Sequence, residues 1–227
     1  MNKPPPATNF KFSVLIALLI FCPLFFCACS DDPTNISLTQ AYLVFDWQDA
    51  ENPPDQRLCV FSEFLSNVRR LESISVRKDS FLWNIDAPVL LKAGHRQWAG
   101  GARLEPPVAA NGTAGVFEQG SYSVEGVDAA GKKAASNFNL SYNNALLEAK
   151  AGEVKDILSG ATRKVAVYSD SNELLYYDAP KDNWIDSESI FKGVKNSSFY
   201  RETLSTGNVV CFMPKIFKDG EKLDGLE

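Results

Sequence analysis

The 227-residue sequence has a single histidine, His95. That scarcity removes most metal centres and most acid–base constellations that depend on an imidazole. It contains no C-x-x-C, which argues against thiol–disulfide exchange chemistry. G-x-S-x-G and H-E-x-x-H are also missing. Two acidic clusters, Asp170–Glu173 and Asp182–Asp186, do not complete a calcium loop with its glycine and distal glutamate, and turn chemistry accounts for both. Gly94, Gly100 and Gly101 lack the strand–loop–helix setting of a phosphate loop. No cofactor and no metal are therefore expected. Basic residues are outnumbered, 23 Lys and Arg against 28 Asp and Glu, for a formal charge of −5 and a pI near 5.1. Nothing in that balance suggests a nucleic-acid surface, so no nucleic-acid partner is expected. There is no repeat at a fixed period. With 45% hydrophobic residues the chain has ample material for a packed core.

One long apolar run is present, at the start. Lys3 and Lys11 precede Phe12–Ala28, 17 residues that end in Phe26-Cys27-Ala28 and run into Cys29-Ser30-Asp31. Seventeen residues is the short limit for a membrane span, and Pro23 breaks the helix register within it. A basic start, a short apolar stretch and a small residue at the boundary describe a secretory signal peptide.

Phe26-Cys27-Ala28-Cys29 resembles the lipobox of bacterial lipoproteins, with Ala28 just before the cysteine that takes the diacylglycerol thioether. Phe26 and Cys27 stand where the strict pattern has leucine and a small residue, a looseness similar to that of spirochaetal lipoproteins. Cys27 is the competing acceptor, preceded by the bulky Phe26, and an uncleaved anchor helix is the other reading of the segment. The resemblance implies a signal peptide over 1–28, lipidation at Cys29 and a polar tether over 29–35. Removing 28 of 227 residues leaves 199, and losing Lys3 and Lys11 takes the formal charge from −5 to −7. Acyl chains, worth about 0.8 kcal/mol per buried methylene, would then hold an acidic body on a membrane.

From Ile36 the pattern turns to period two, and Ile36–Phe45 reads as a half-buried strand. Gln48–Asp55 is a loop. Val60–Leu71 fits helix and strand alike. Ser73–Arg77 and Phe81–Ile85 read as strands around Lys78-Asp79-Ser80, and Lys92–Gln97 as a polar loop that carries His95. Gly120–Val127 and Ala134–Tyr142 flank Asp128-Ala-Ala-Gly131, a hairpin in which Gly131 is free to take positive φ. The residues Gly120, Tyr122, Val124, Asp128 and Gly131 resemble an edge hairpin of immunoglobulin-like and fibronectin-type modules, which implies a β-sandwich. Ala145–Ser159 has helical spacing weakened by Gly152. Lys164–Tyr168 and Leu174–Asp178 read as a second hairpin. Asp186-Ser187 offers an N-cap for a helix from Glu188 to Leu204, and Asn208–Phe217 closes as a strand. The expected fold is mainly β: an immunoglobulin-like sandwich over 36–143 and a smaller α+β portion over 144–227, as two units or around one core.

Several residues stand out as candidates. Cys59 and Cys211 pair as a disulfide, or else are two buried free thiols. Trp98, in a glycine-rich loop with Arg96 and Arg103 nearby, could stack on a ligand or pack across the end of the sandwich. Trp47, Trp83 and Trp184 read as core or core edge. The expected function is a non-enzymatic lipoprotein held on a bacterial membrane and facing the periplasm or the surface, which binds or scaffolds a protein or envelope component. The alternative is an envelope enzyme with a carboxylate site built on residues such as Asp46, Glu63 or Asp186.

Overall fold

The computed structural model describes residues 35–65, 70–108 and 115–218. The signal segment, Cys29 and the tether up to Thr34 lie outside these residues, as do Val68, Ala109–Ala114 and the tail from Asp219. The fold is mainly β. Strands β1 (Ile36–Asp46), β2 (Asp55–Phe64), β5 (Val89–Ala93), β6 (Arg96–Leu104), β9 (Thr162–Tyr168), β10 (Leu174–Asp178), β11 (Phe199–Thr206) and β12 (Val209–Phe212) form one sheet. Its order is β10-β9-β11-β12-β1-β2-β6-β5, with β13 (Ile216–Phe217) beside the start of β11. A second sheet, β4-β3-β7-β8, is built from β3 (Leu71–Lys78), β4 (Phe81–Ile85), β7 (Gly120–Asp128) and β8 (Lys133–Leu140). Among the described residues β1 and β12 form the one parallel ladder.

Alternation builds the core. In β2, Leu58, Val60, Ser62 and Phe64 are buried while Arg57, Cys59, Phe61 and Glu63 between them are half-buried. Leu43 and Phe45 of β1 join Leu58 and Val60 on that inner face, where Ile74, Val76, Tyr122, Val124 and Leu140 of the second sheet meet them. The same cluster takes in Leu146, Val154, Leu158, Leu204, Val209 and Cys211. Strands and side chains from both 36–143 and 144–217 therefore share one sheet and one core. Further along the large sheet, Val165, Val167 and Tyr200 pack with Trp184, Ile190 and Phe191. The last two lie on α2 (Ser187–Gly193), whose N-cap Asp186 accepts the Ser189 N–H at 2.8 Å.

Several sequence expectations hold. The β7–β8 hairpin turns through Gly131 at φ 75°, with Asp128 Oδ1 accepting the Ala130 and Lys132 amides at 2.9 Å. Trp47, Trp83 and Trp184 are buried or half-buried, and Trp47 Nε1 donates to the Ala149 carbonyl at 2.8 Å.

Others are corrected. Lys92–Gln97 is no loop: Ala93 pairs with Arg96 across a two-residue turn, and Gly94 at φ 61° takes the position that a type II′ hairpin gives to glycine. Trp98 likewise lies within β6. The glycines after it are strand residues, because a Cβ on Gly100 would stand 2.0 Å from the Val60 carbonyl oxygen. Val60–Phe64 is strand, where pairing on both sides overrides the helical spacing. Ala145–Ser159 breaks into 3-10 turns at Asn144–Leu147 and Ala151–Glu153 and one turn of helix, α1 (Val154–Ile157), because Lys150 is extended at φ −75°, ψ 155°. The helix from Asp186 ends at Gly193, whose absent side chain leaves room for Trp184, and Asn196 at φ 61° turns the chain into β11. Asn208–Phe217 is two strands, β12 and β13, with Met213-Pro214-Lys215 between them.

Candidate functional site

Cross-strand register brings Trp98 into a row that sequence spacing does not reveal. Leu38 of β1 pairs with Glu63 of β2, Glu63 with Trp98 of β6, and Trp98 with Leu91 of the edge strand β5. Paired residues in a sheet share a face, so the four side chains line up on the face opposite the core. Leu38 and Leu91 are 41% and 48% exposed, and Trp98 is half-buried between neighbours. Arg96 lies two residues before Trp98 on the same face, and its Nε stands 3.5 Å from Glu63 Oε1. Phe61 and Val89 flank the gap left by Gly100 in the next row. The arrangement is an apolar and aromatic strip with one ion pair, suited to stacking and burial rather than to proton transfer.

Arg103 is not part of it. It lies at the other end of β6, beyond the irregularity between the Leu58 and Val60 pairings, and its Nε donates to Glu105 Oε1 at 2.6 Å. Arg103 borders a cleft of about 410 Å³ whose lining includes Asp46, Asp55, Arg57, Glu105 and Leu147. Asp46 and Asp55 are cross-strand partners there, and like charges so placed repel. Two guanidinium groups offset that repulsion: Arg57 Nη1 stands 3.1 Å from Asp46 Oδ2, and Arg201 Nη2 donates to Asp46 Oδ1 at 2.5 Å.

The three carboxylates named as alternatives are thus apart and engaged. Asp46 is held by Arg57 and Arg201. Glu63, at the far end of the β1–β2 ladder, is held by Arg96. Asp186 caps α2, and the Ser189 amide and hydroxyl hold its carboxyl below the ordinary aspartate range. His95 is exposed at the β5–β6 turn. Asp170 to Glu173 form the β9–β10 turn, with Asn172 at φ 60°. No cluster of three His, Cys, Asp or Glu side chains suited to a metal occurs among the described residues.

Cys59 and Cys211 are free thiols, which corrects the disulfide reading. Cys59 pairs with Tyr42 and Cys211 with Phe45 on either side of β1. Tyr42 and Phe45 are three apart, so the two sulfurs point to opposite faces of the sheet. Two strand spacings, about 9.5 Å, also exceed the reach of a disulfide. Cys59 Sγ donates to the Ala102 carbonyl at 2.8 Å. Burial raises its pKa and Arg57 partly opposes the rise, whereas burial pushes Cys211 up to about 12. Iodoacetamide labelling of the native protein, read peptide by peptide, should modify Cys59 on the order of tenfold faster than Cys211, whose labelling must await opening of the core. Equal rates, or a Cys59–Cys211 cross-linked peptide without reductant, would contradict this placement.

No protein-family model matches the chain, and a search of curated proteins finds no match. No helix among the described residues is long and apolar enough to cross a membrane.

Proposed function

We propose that this chain is a lipid-anchored bacterial envelope protein of non-enzymatic type, whose β-rich body binds or scaffolds a protein or envelope component. The observation that carries the reading is Phe26-Cys27-Ala28-Cys29 at the end of a short apolar run. The finer reading of the fold is an immunoglobulin-like β-sandwich. It is supported by the main core cluster, which draws on both sheets. The hydroxyl of Tyr122, near the start of β7, also donates to the Glu118 carbonyl at 2.6 Å, as the tyrosine corner of such modules does. The exposed Leu38–Trp98–Leu91 strip is the surface on which a partner finds apolar area without a catalytic set. The enzyme alternative has the Asp46–Asp55 cleft as its natural location. There Asp46 is held by Arg57 and Arg201 and Glu105 by Arg103, which leaves Asp55 to act.

Metabolic labelling with radioactive palmitate tests the anchor. Label in the wild type and none in Cys29→Ser supports lipidation at Cys29. Loss of label only in Cys27→Ser moves the acceptor. No label in the wild type rejects the lipoprotein reading in favour of a secreted chain or an uncleaved anchor helix.

A further inference from the structure

We infer that the end of the large sheet carrying the β5–β6 turn rests on the bilayer that holds the anchor, so that the body touches lipid at a second place. This inference rests on lipidation at Cys29. Six residues, Ser30–Asn35, separate Cys29 from β1, a contour of at most about 20 Å. A tether of that length keeps the start of β1 within reach of the membrane surface, and what surrounds it can meet that surface.

What surrounds it is apolar. The Leu65 amide donates to the Asn35 carbonyl at 3.0 Å, and Leu65 itself is 67% exposed. Ile36 pairs with Phe64, Phe64 with Gln97 and Gln97 with Lys92, so the β1 start and the β5–β6 turn lie at the same end of the sheet. Leu38, Trp98 and Leu91 form the next row. Tryptophan prefers the headgroup boundary, where its ring is half immersed.

Charge at this end does not oppose contact as it does elsewhere. Lys92 and Arg96 flank the turn. The β7–β8 hairpin comes close, because a Cβ on Gly126 would stand 2.7 Å from the Phe64 ring, and its turn brings Lys132 and Lys133 beside Arg70, whose carbonyl accepts the Ala129 amide at 2.8 Å. Against these five basic side chains stand Glu63, Glu72, Glu125 and Asp128, in a mature chain whose formal charge is −7.

The test uses the full chain, purified from the producing cell in detergent and reconstituted into phosphatidylcholine–phosphatidylglycerol vesicles with brominated acyl chains. Flotation reads the anchor, and tryptophan quenching reads the contact. The expected result is flotation with quenched emission, most of the quenching being lost in Trp98→Phe, because Trp47 and Trp184 are buried and Trp83 bonds to Glu105 away from this end. A second variant, Leu38→Glu with Leu91→Glu, keeps Trp98 and should float with reduced quenching. Flotation without quenching overturns this inference alone, and so does quenching unchanged in Trp98→Phe. Cross-linking between copies through β5, with no effect of brominated lipid, overturns it in favour of a second copy as occupant. Failure to float overturns the anchor reading and this inference with it.

Discussion

Replacing Arg201 by alanine should destabilise the protein by about 3–5 kcal/mol, the range for a buried ion pair that loses one partner. Arg201 is buried in the middle strand of β9-β11-β12 and donates to four oxygens: Asp46 Oδ1 at 2.5 Å and the carbonyls of Met213 at 2.6 Å, Trp47 at 2.9 Å and Phe212 at 3.2 Å. Its guanidinium carbon also lies 5.3 Å from the Phe212 ring centroid. Removing it takes a donor from the Met213, Trp47 and Phe212 carbonyls, of which Phe212 keeps the Trp47 amide, and leaves the buried Asp46 carboxylate with Arg57 alone, beside Asp55. Unfolding in urea gives the measurement, as a lowered midpoint at unchanged slope. The paired change Asp46→Leu with Arg201→Met removes both charges and should cost less than Arg201→Ala, because no buried ion is then left uncompensated. A single-variant loss below about 1 kcal/mol would show that water reaches the pair and that the cluster contributes little.

That cluster could not be read from the sequence, since 155 positions separate Asp46 from Arg201 and nothing local marks either. Hairpins were legible where turn chemistry and alternation agree, as at Asp128–Gly131 and at Ser169–Asn172. The signal failed where tertiary pairing outweighs local pattern. Phe199–Leu204 continues the helical spacing of Ile190 and Phe191, yet β9 pairs with it along its length, with β13 on its start and β12 on its end. Trp98 was legible as a candidate ligand contact but not as a strand residue. Its Gly100-Gly101 reads as a loop until the Val60 carbonyl is seen to exclude a side chain. The strip around it draws on four strands whose alignment only the registers supply. The cleft gathers Asp46 and Asp55 from one hairpin, but Glu105 and Leu147 come from far along the chain. The Cys59–Cys211 reading failed for the same reason: their facing depends on an odd offset along β1.

A chain ending at Asn143 should not fold, and this follows from where 144–217 sits. Such a chain keeps β1 to β8 but loses β12, so the edge of β1 from Leu43 to Asp46 is left without its ladder. Leu43 also loses the Asn208 carbonyl at 2.8 Å and Trp47 the Phe212 carbonyl at 3.0 Å. Inside, Phe45 and Trp47, both fully buried, lose Leu146, Ala149, Val154 and Cys211 from their cluster. Deleting a single large aromatic from a core costs about 3–5 kcal/mol, and Trp47→Ala should cost that much, because the indole also gives up its bond to Ala149. Losing every packing partner contributed by 144–217 exceeds the 5–15 kcal/mol that holds a typical domain. The expected result is a full-length body that unfolds in one cooperative transition, with near-ultraviolet circular dichroism and tryptophan emission changing together. The truncated chain should lack near-ultraviolet signal and aggregate through the bared edge of β1. A soluble, cooperatively unfolding 36–143 fragment would mean that the first eight strands hold their own core and that the parallel β1–β12 ladder is an attachment between two domains.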